Sequence, residues 1–332
     1  MRYIIIGAGA VGGSIGGRLY ESGHDVVLVA RGAHAAALRR NGLRLRTPEA
    51  TLTLPVPVAA GPEEVVPQSD DVLVLAVKTQ DAVPALDAWA PYAESAGDPP
   101  VLCAQNGVAG EQLALRRFAR VYGACVWLPS EHLEPGLVSA SCAPLTGVLH
   151  LGRYPEAAPD DVLPQIAADL EASRFAAPVV PDVLRWKYGK LLLNLVNAVE
   201  ALCGPVEDEA TRDLARRARE EGEAVLAAAG IAHAGAEEQA AARAGRMEMR
   251  PLAGEGPEAR GGGSSWQSLR RGLGSIEADY LNGEIVLLGR QHGVPTPVNE
   301  TLRRAANAFA REGRAPGSTT AEKLNTRISQ LI

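Results

Sequence analysis

The chain has 332 residues, 46% of them hydrophobic and 22% charged, and carries a net charge of -6 at pH 7. That length suits two domains of ordinary size, and the acidic balance argues against nucleic acid or an anionic membrane as a partner. No run reaches the ~20 uninterrupted apolar residues of a membrane span.

The first predicted element is the strand Tyr3–Ile6, apolar and unbroken as in a parallel sheet buried on both faces. It runs into Gly7-Ala8-Gly9-Ala10-Val11-Gly12, then an Ala/Gly-rich helix to Glu21 and a second strand, Val26–Ala30. In that setting each glycine has a mechanical task. Gly7 turns the chain, Gly9 admits a pyrophosphate to the backbone, and Gly12 lets the helix pack on the sheet. The helix start presents N–H groups and a positive dipole end to phosphate, so residues 7–12 are expected to bind a dinucleotide. Arg31 stands at the end of the second strand, and no acid follows until Glu49. An acid there would bond a ribose 2′-hydroxyl and repel a 2′-phosphate, whereas a guanidinium clamps the phosphate. NADPH is therefore the expected cofactor; the alternative for Arg31 is a surface residue in a loop.

A helix over AHAAALRRN is predicted to end at Gly42, and LRLRTP with ATLTLPVPVAA reads as a hairpin or edge strands. Asp70-Asp71 introduce VLVLAVK, a buried strand ending at Lys78. A helix over Asp81–Tyr92 and the strand VLCAQNG, ending at Asn106-Gly107, come next. Such alternation implies a Rossmann-type, doubly wound, mostly parallel α/β sheet. From Leu184 the pattern turns helical. Trp186–Leu202 reads as one long helix, Thr211–Ala229 and Ile276–His292 as others, and no strand-like run of comparable quality is seen after residue 180, so an all-helical second domain is expected. The expected architecture is an N-terminal α/β domain, residues 1–180, and an all-helical C-terminal domain, residues 181–332. A glycine-rich loop spans 254–263. The four cysteines, Cys103, Cys125, Cys142 and Cys203, lack zinc-ligand spacing and read as reduced thiols, so no metal and a cytoplasmic location are expected.

Three groups of residues are candidates for chemistry. Lys78 and Asn106 sit at the carboxyl ends of strands, where open α/β sheets bind ligands. Lys78 suits a ribose hydroxyl or a phosphate, and Asn106 the nicotinamide or the substrate; the alternative for each is a plain strand cap. In WKYGKLLLNLVNAVEAL, residues Lys187, Lys190, Asn194 and Asn197 are spaced three, four and three apart and share one helix face. Solvent faces elsewhere in the chain are rich in Arg and Glu. This stripe is not, which favours a polar cleft over a solvated face. Finally, Ser264-Ser265 come after the glycines, where they suit a carboxylate or, with Gln267 three residues on, a helix capping box. Glu277 is expected to face the core, with Asp279 and Asn282 solvated.

Together these motifs make the chain resemble the ketopantoate reductase (2-dehydropantoate 2-reductase) family over nearly its whole length. The resemblance rests on GAGAVGG, the Lys of VKTQD, the Asn of QNG, KLLLN with its further Asn, and SS followed by EADYLNG. It implies a Rossmann domain and a helical domain, with NADPH and a 2-keto acid in the cleft between them. It implies Lys190 as the catalytic proton donor, with Lys187 as runner-up, and Glu277 as the lysine's partner. Asn194 and Asn197 would bind substrate with Asn106, and Ser265 would bind its carboxylate. Three departures stand out. The two asparagines are one residue closer than usual, the usual Pro-Leu-Thr is replaced by Ala198-Val199-Glu200, and Trp266-Gln267-Ser268-Leu269 displaces the Gln-Asp after the serines. Cofactor and reaction type survive these departures better than the identity of the keto acid does. Pantoate formation is the leading expectation. Reduction of another keto acid or an imine, and a non-catalytic NADPH-binding sensor, are the alternatives. No macromolecular partner is expected beyond a second copy of the chain in a homodimer, which the sequence leaves open.

Overall fold

Tyr3–Ile6 and Val26–Val29 are buried throughout and form a parallel pair, β1 (Arg2–Ile6) and β2 (Asp25–Val29), joined by α1 (Ala10–Glu21). Helix α2 (Gly32–Asn41) ends at Gly42, whose φ of 74° supplies the left-handed stop that only glycine adopts freely. It leads to an antiparallel hairpin, β3 (Leu43–Arg46) and β4 (Thr51–Leu54), and the short β5 (Val58–Ala59) then pairs with β2. Strand β6 (Val72–Leu75) crosses to the other side of β1. Helix α3 (Ala82–Ser95), β7 (Val101–Cys103), α4 (Ala109–Leu115) and β8 (Val121–Trp127) extend that side. Next come β9 (Ser130–Glu131), β10 (Leu137–Ala140), β11 (Cys142–Pro144) and β12 (Gly147–Tyr154), the last antiparallel to β8, and then α5 (Val162–Ala172) and β13 (Phe175–Ala176). The main sheet has the order β13-β12-β8-β7-β6-β1-β2-β5, and the hairpin belongs to a separate sheet, β4-β3-β10-β9. Strand order reverses between β1 and β6, which is where the ligand crevice of such a sheet opens. Apolar clusters cover both faces of the main sheet.

The rest of the chain comprises α6 (Val183–Asn194), α7 (Val196–Cys203), α8 (Glu209–Ala228), α9 (Ala236–Arg243), the strand β14 (Met247–Met249), α10 (Ser264–Arg270), α11 (Asn282–His292), α12 (Pro297–Glu312) and α13 (Ala321–Ile328). In this computed structural model, residues 1–155, 161–254 and 262–330 are described. Of the glycine-rich loop, residues 255–261 lie outside the described residues. No described helix is long and apolar enough to cross a membrane.

The described residues cluster into two units. The first is Met1–Lys187 with residues 236–254, and the second is Tyr188–Gly235 with residues 262–330. A cut at 180/181 misses two features of that division: the boundary falls inside α6, and a segment from the helical half belongs to the first unit. That segment carries β14, antiparallel to β11, so the expectation of no strand after residue 180 fails there. Three residues of Met-Glu-Met carry no β-branched signal, and the pairing comes from the partner strand. The single helix expected over Trp186–Leu202 is likewise two helices that meet at Leu195. Asn282 donates from Nδ2 to the Leu195 carbonyl at 3.2 Å and to Asn299 Oδ1 at 3.0 Å. Asn282 is thus buried rather than solvated. The segment Glu277–Tyr280 is a 3₁₀ turn, so an α-helical periodicity run through it assigns Asn282 to the wrong face.

Candidate active site

The glycine-rich turn occupies the switch point between β1 and β6. Gly7 has φ 103°, and a Cβ there would lie 2.7 Å from the Val77 amide nitrogen, so no other residue fits. At Gly12 a Cβ would stand 2.0 Å from the Gly7 carbonyl oxygen and 2.9 Å from Ile5, which ties this glycine to the seating of α1 on the sheet. Gly9 differs: a Cβ there would meet only His132 Nδ1, at 3.9 Å. The backbone is therefore open to approach at the N-cap of α1, whose first turn carries no acid. Openness at Gly9 and closeness at Gly7 and Gly12 fit a pyrophosphate held by Gly7, Ala8, Gly9, Ala10, Val11 and Gly12.

Two residues that the sequence did not single out brace this turn. Gly136 N–H donates to His34 Nδ1 at 2.9 Å, so the proton sits on Nε2, which donates to the Ala8 carbonyl at 2.8 Å. The His34 and His132 rings lie 4.1 Å apart. The only available signal was a histidine in the first turn of α2. Arg31 is exposed and is the N-cap residue of α2, directly after β2.

Lys78 and Asn106 lie just beyond their strands rather than within them. Strand β6 ends at Leu75, and Lys78 opens a 3₁₀ turn over Thr79–Asp81; β7 ends at Cys103. Gln105 Nε2 donates to the Val77 carbonyl at 2.7 Å, and Thr79 Oγ1 to the Asn106 carbonyl at 3.4 Å. These bonds tie the two loops together and place Lys78 and Asn106 on neighbouring strand ends.

In the second unit, Lys190, Asn194 and Asn197 are all half-buried along α6 and α7. Helix α10 packs against α7. Its N-cap is Gly263, whose N–H donates to Glu200 Oε2 at 2.9 Å. The capping box considered for Ser264 does not form, because Ser264 is the first helical residue and its hydroxyl lies 3.5 Å from Glu277 Oε2. Ser265 and Glu277 are both 3% exposed. The structure therefore brings Asn197, Glu200, Ser264 and Glu277 into one neighbourhood around the start of α10. Glu200, at the third place of the altered Pro-Leu-Thr, was visible in the sequence only as a departure, and its role as the acceptor for α10 needed the fold.

Lys187 is engaged elsewhere. In the first unit its ammonium pairs with Glu111 of α4, with side chains 3% and 0% exposed. A Cβ at Gly123 would stand 2.8 Å from Glu111 Oε1, so the glycine makes room for the carboxylate. The nearby Cys103 thiol is pushed up by burial and then by Glu111.

Comparison with known proteins places the chain among relatives. The sequence pattern described as "Ketopantoate reductase PanE/ApbA" matches residues 3–156, and "Ketopantoate reductase PanE/ApbA C terminal" matches residues 182–310. The chain is 30% identical to a 2-dehydropantoate 2-reductase of Mesorhizobium japonicum, over 94% of this chain and 98% of that protein. It is 28% identical to one of Archaeoglobus fulgidus, over 91% and 95%. Among solved structures, a PanE/ApbA family ketopantoate reductase from Ralstonia eutropha superposes with a TM-score of 0.77 at 30% identity, covering 94% of this chain and 99% of that one. D-mandelate dehydrogenase with NADH and anilino(oxo)acetate has the same TM-score of 0.77 at 21% identity, over 94% and 99%, and shares the fold.

Proposed function

This chain belongs to the ketopantoate reductase family of nicotinamide-dependent oxidoreductases, and on that premise we propose that it reduces a 2-keto acid to the 2-hydroxy acid with NADPH. The substrate proposed is 2-dehydropantoate and the product pantoate, on the way to pantothenate and coenzyme A. The carrying observation is that Lys190, Asn194 and Asn197 are half-buried along α6 and α7, while α10, which packs on α7, starts beside the buried Glu277. A lysine and two amides on a Leu-rich helix pair, with a buried carboxylate in the same unit, suit a keto acid better than a solvated surface.

NADPH supplies the hydride to the keto carbon; the protein supplies position and the proton. Lys190 would give a proton to the developing alkoxide, and Glu277 would keep that ammonium charged and oriented. Asn106, Asn194 and Asn197 would hold the substrate oxygens, and Ser265 the carboxylate. Residues 7–12, Lys78 and Asn106 would hold the cofactor, with Arg31 on its 2′-phosphate. All four cysteines are thiols outside any disulfide, which supports the cytoplasm as the compartment.

NADPH oxidation across a panel of 2-keto acids, with Lys190→Ala as control, tests the reading. Turnover of 2-dehydropantoate in the wild type alone supports it, while cofactor binding without turnover of any keto acid would leave a sensor. Glu200 favours a second keto acid as the runner-up, since an acid replaces the family's threonine beside the asparagine stripe. Preference for a different acid in the panel would show that.

Two further results are expected. Arg31→Ala should weaken NADPH but hardly NADH, by about 1–3 kcal/mol for a charge-assisted bond. Equal losses for the two cofactors would refute the phosphate role. Ser265→Ala should raise KM for the keto acid and leave NADPH affinity in place. If KM does not move, the buried serine serves only to pack α10.

A further inference from the structure

Strands β8 and β12 carry a strip of side chains that the proposed reaction does not use. Gly152 opposes Gly123, His150 opposes Cys125, and Val148 opposes Trp127. Opposed residues of an antiparallel pair project to the same side, so these residues share one face of the first unit's sheet. At the glycine rung Val183 fills the space, lying 2.8 Å from a Cβ built at Gly152 and 2.9 Å from one at Gly123. On the next rung the Trp186 ring stacks on His150 with centroids 3.8 Å apart and 15° between planes. The Cys125 thiol donates to the Trp186 carbonyl at 3.5 Å. At the last rung, by the carboxyl end of β8, the Arg243 guanidinium lies 3.6 Å over the Trp127 ring.

In this strip Nδ1 of His150, itself 2% exposed, and Nη1 of Arg243 are buried without a hydrogen-bond partner. Arg243 also has no carboxylate partner among the described residues. The contrast is with Arg185, which binds both oxygens of Glu238, one of the two acids of Arg243's own helix, at 2.7 and 2.6 Å. Burial, reinforced by Arg246 and Arg243, holds His150 down to about 4, so the imidazole is neutral at pH 7 and retains one N–H. The strip therefore holds an uncompensated guanidinium and a neutral donor, both against indole rings. Buried polar groups in native proteins are nearly always satisfied, and a guanidinium is satisfied best by a planar oxyanion.

We propose that Arg243 and His150, walled by Trp127 and Trp186, form a binding site for a carboxylate carried on an apolar or aromatic body. The guanidinium stacks its face on Trp127 and keeps its N–H edge for the two carboxylate oxygens. His150, in its Nδ1–H tautomer, offers a further donor. A strongly hydrated inorganic anion would gain nothing from the indole walls, whereas an aryl acid buries its ring there. This site stands on the first unit alone and is independent of the role given to Lys190.

Benzoate titrated into the full chain with ¹⁵N-labelled tryptophans tests it, with benzamide as the neutral isostere. Saturable shifts of the Trp127 and Trp186 indole signals are expected with benzoate, and at least ten-fold weaker binding with benzamide. Arg243→Gln should weaken benzoate at least ten-fold, while Lys190→Ala and Ser265→Ala leave it unchanged. Equal binding of benzamide and benzoate, or no saturable shift at all, overturns the site without need of any variant. Shifts that survive Arg243→Gln but vanish in Ser265→Ala would place the carboxylate with the proposed substrate residues and overturn it as well.

Discussion

Lys190→Ala is expected to lower kcat by about 10²–10⁴ while NADPH binding is largely kept, which is the loss seen when a positioned general acid is removed. Placement is the reason. Lys190 is half-buried on α6, a turn before Asn194, in the unit that also holds buried Glu277 and Ser265. Glu277→Gln should cost less, because it removes charge and orientation from the donor rather than the donor itself. Single-turnover kinetics with saturating NADPH separate this chemical step from binding. A Lys190→Ala enzyme with near wild-type kcat would remove the lysine from the mechanism, and with it the roles given to Asn194 and Asn197.

Lys187→Ala should act on stability instead, at about 3–5 kcal/mol, the usual consequence of stranding one member of a buried ion pair. Lys187 stands next to Trp186 at the start of the expected helix, where a substitution should be mild; burial against Glu111 reverses that expectation. The carboxylate it leaves behind is fully buried, and its Oε2 already lacks a hydrogen-bond partner. Replacing both residues, as Lys187→Met with Glu111→Leu, should recover much of the loss, since an apolar pair carries no desolvation penalty. Denaturant unfolding of the two single variants and the double variant measures the coupling. Strict additivity would mean that the pair does not hold α4 and α6 together. Should folded Lys187→Ala be inactive while Lys190→Ala still turns over, the two lysines exchange roles.

The sequence by itself determined whatever depends on local geometry. The turn Gly7–Gly12 was legible because each glycine answers a backbone requirement of its own position, and Gly42 because a helix stop needs a positive φ. The alternation of buried strands and helices was legible because periodicity is a property of consecutive residues. The same periodicity set Lys187, Lys190, Asn194 and Asn197 on one helix face, but the helix breaks at Leu195 and Lys187 turns to Glu111. Periodicity does not say whether a polar residue on a helix is solvated or buried with a partner. Nothing in one dimension shows what Asn282, Lys187 and Glu200 pair with. Their partners are Leu195 with Asn299, Glu111, and Gly263, and all but one of these lie more than sixty positions away in the chain. The same holds for His34, whose two hydrogen bonds reach the glycine-rich turn and a loop 102 residues on, and for β14, which is a strand only because β11 lies beside it. Burying a polar group is unfavourable until its partner is in place, and only the tertiary structure decides where that partner stands.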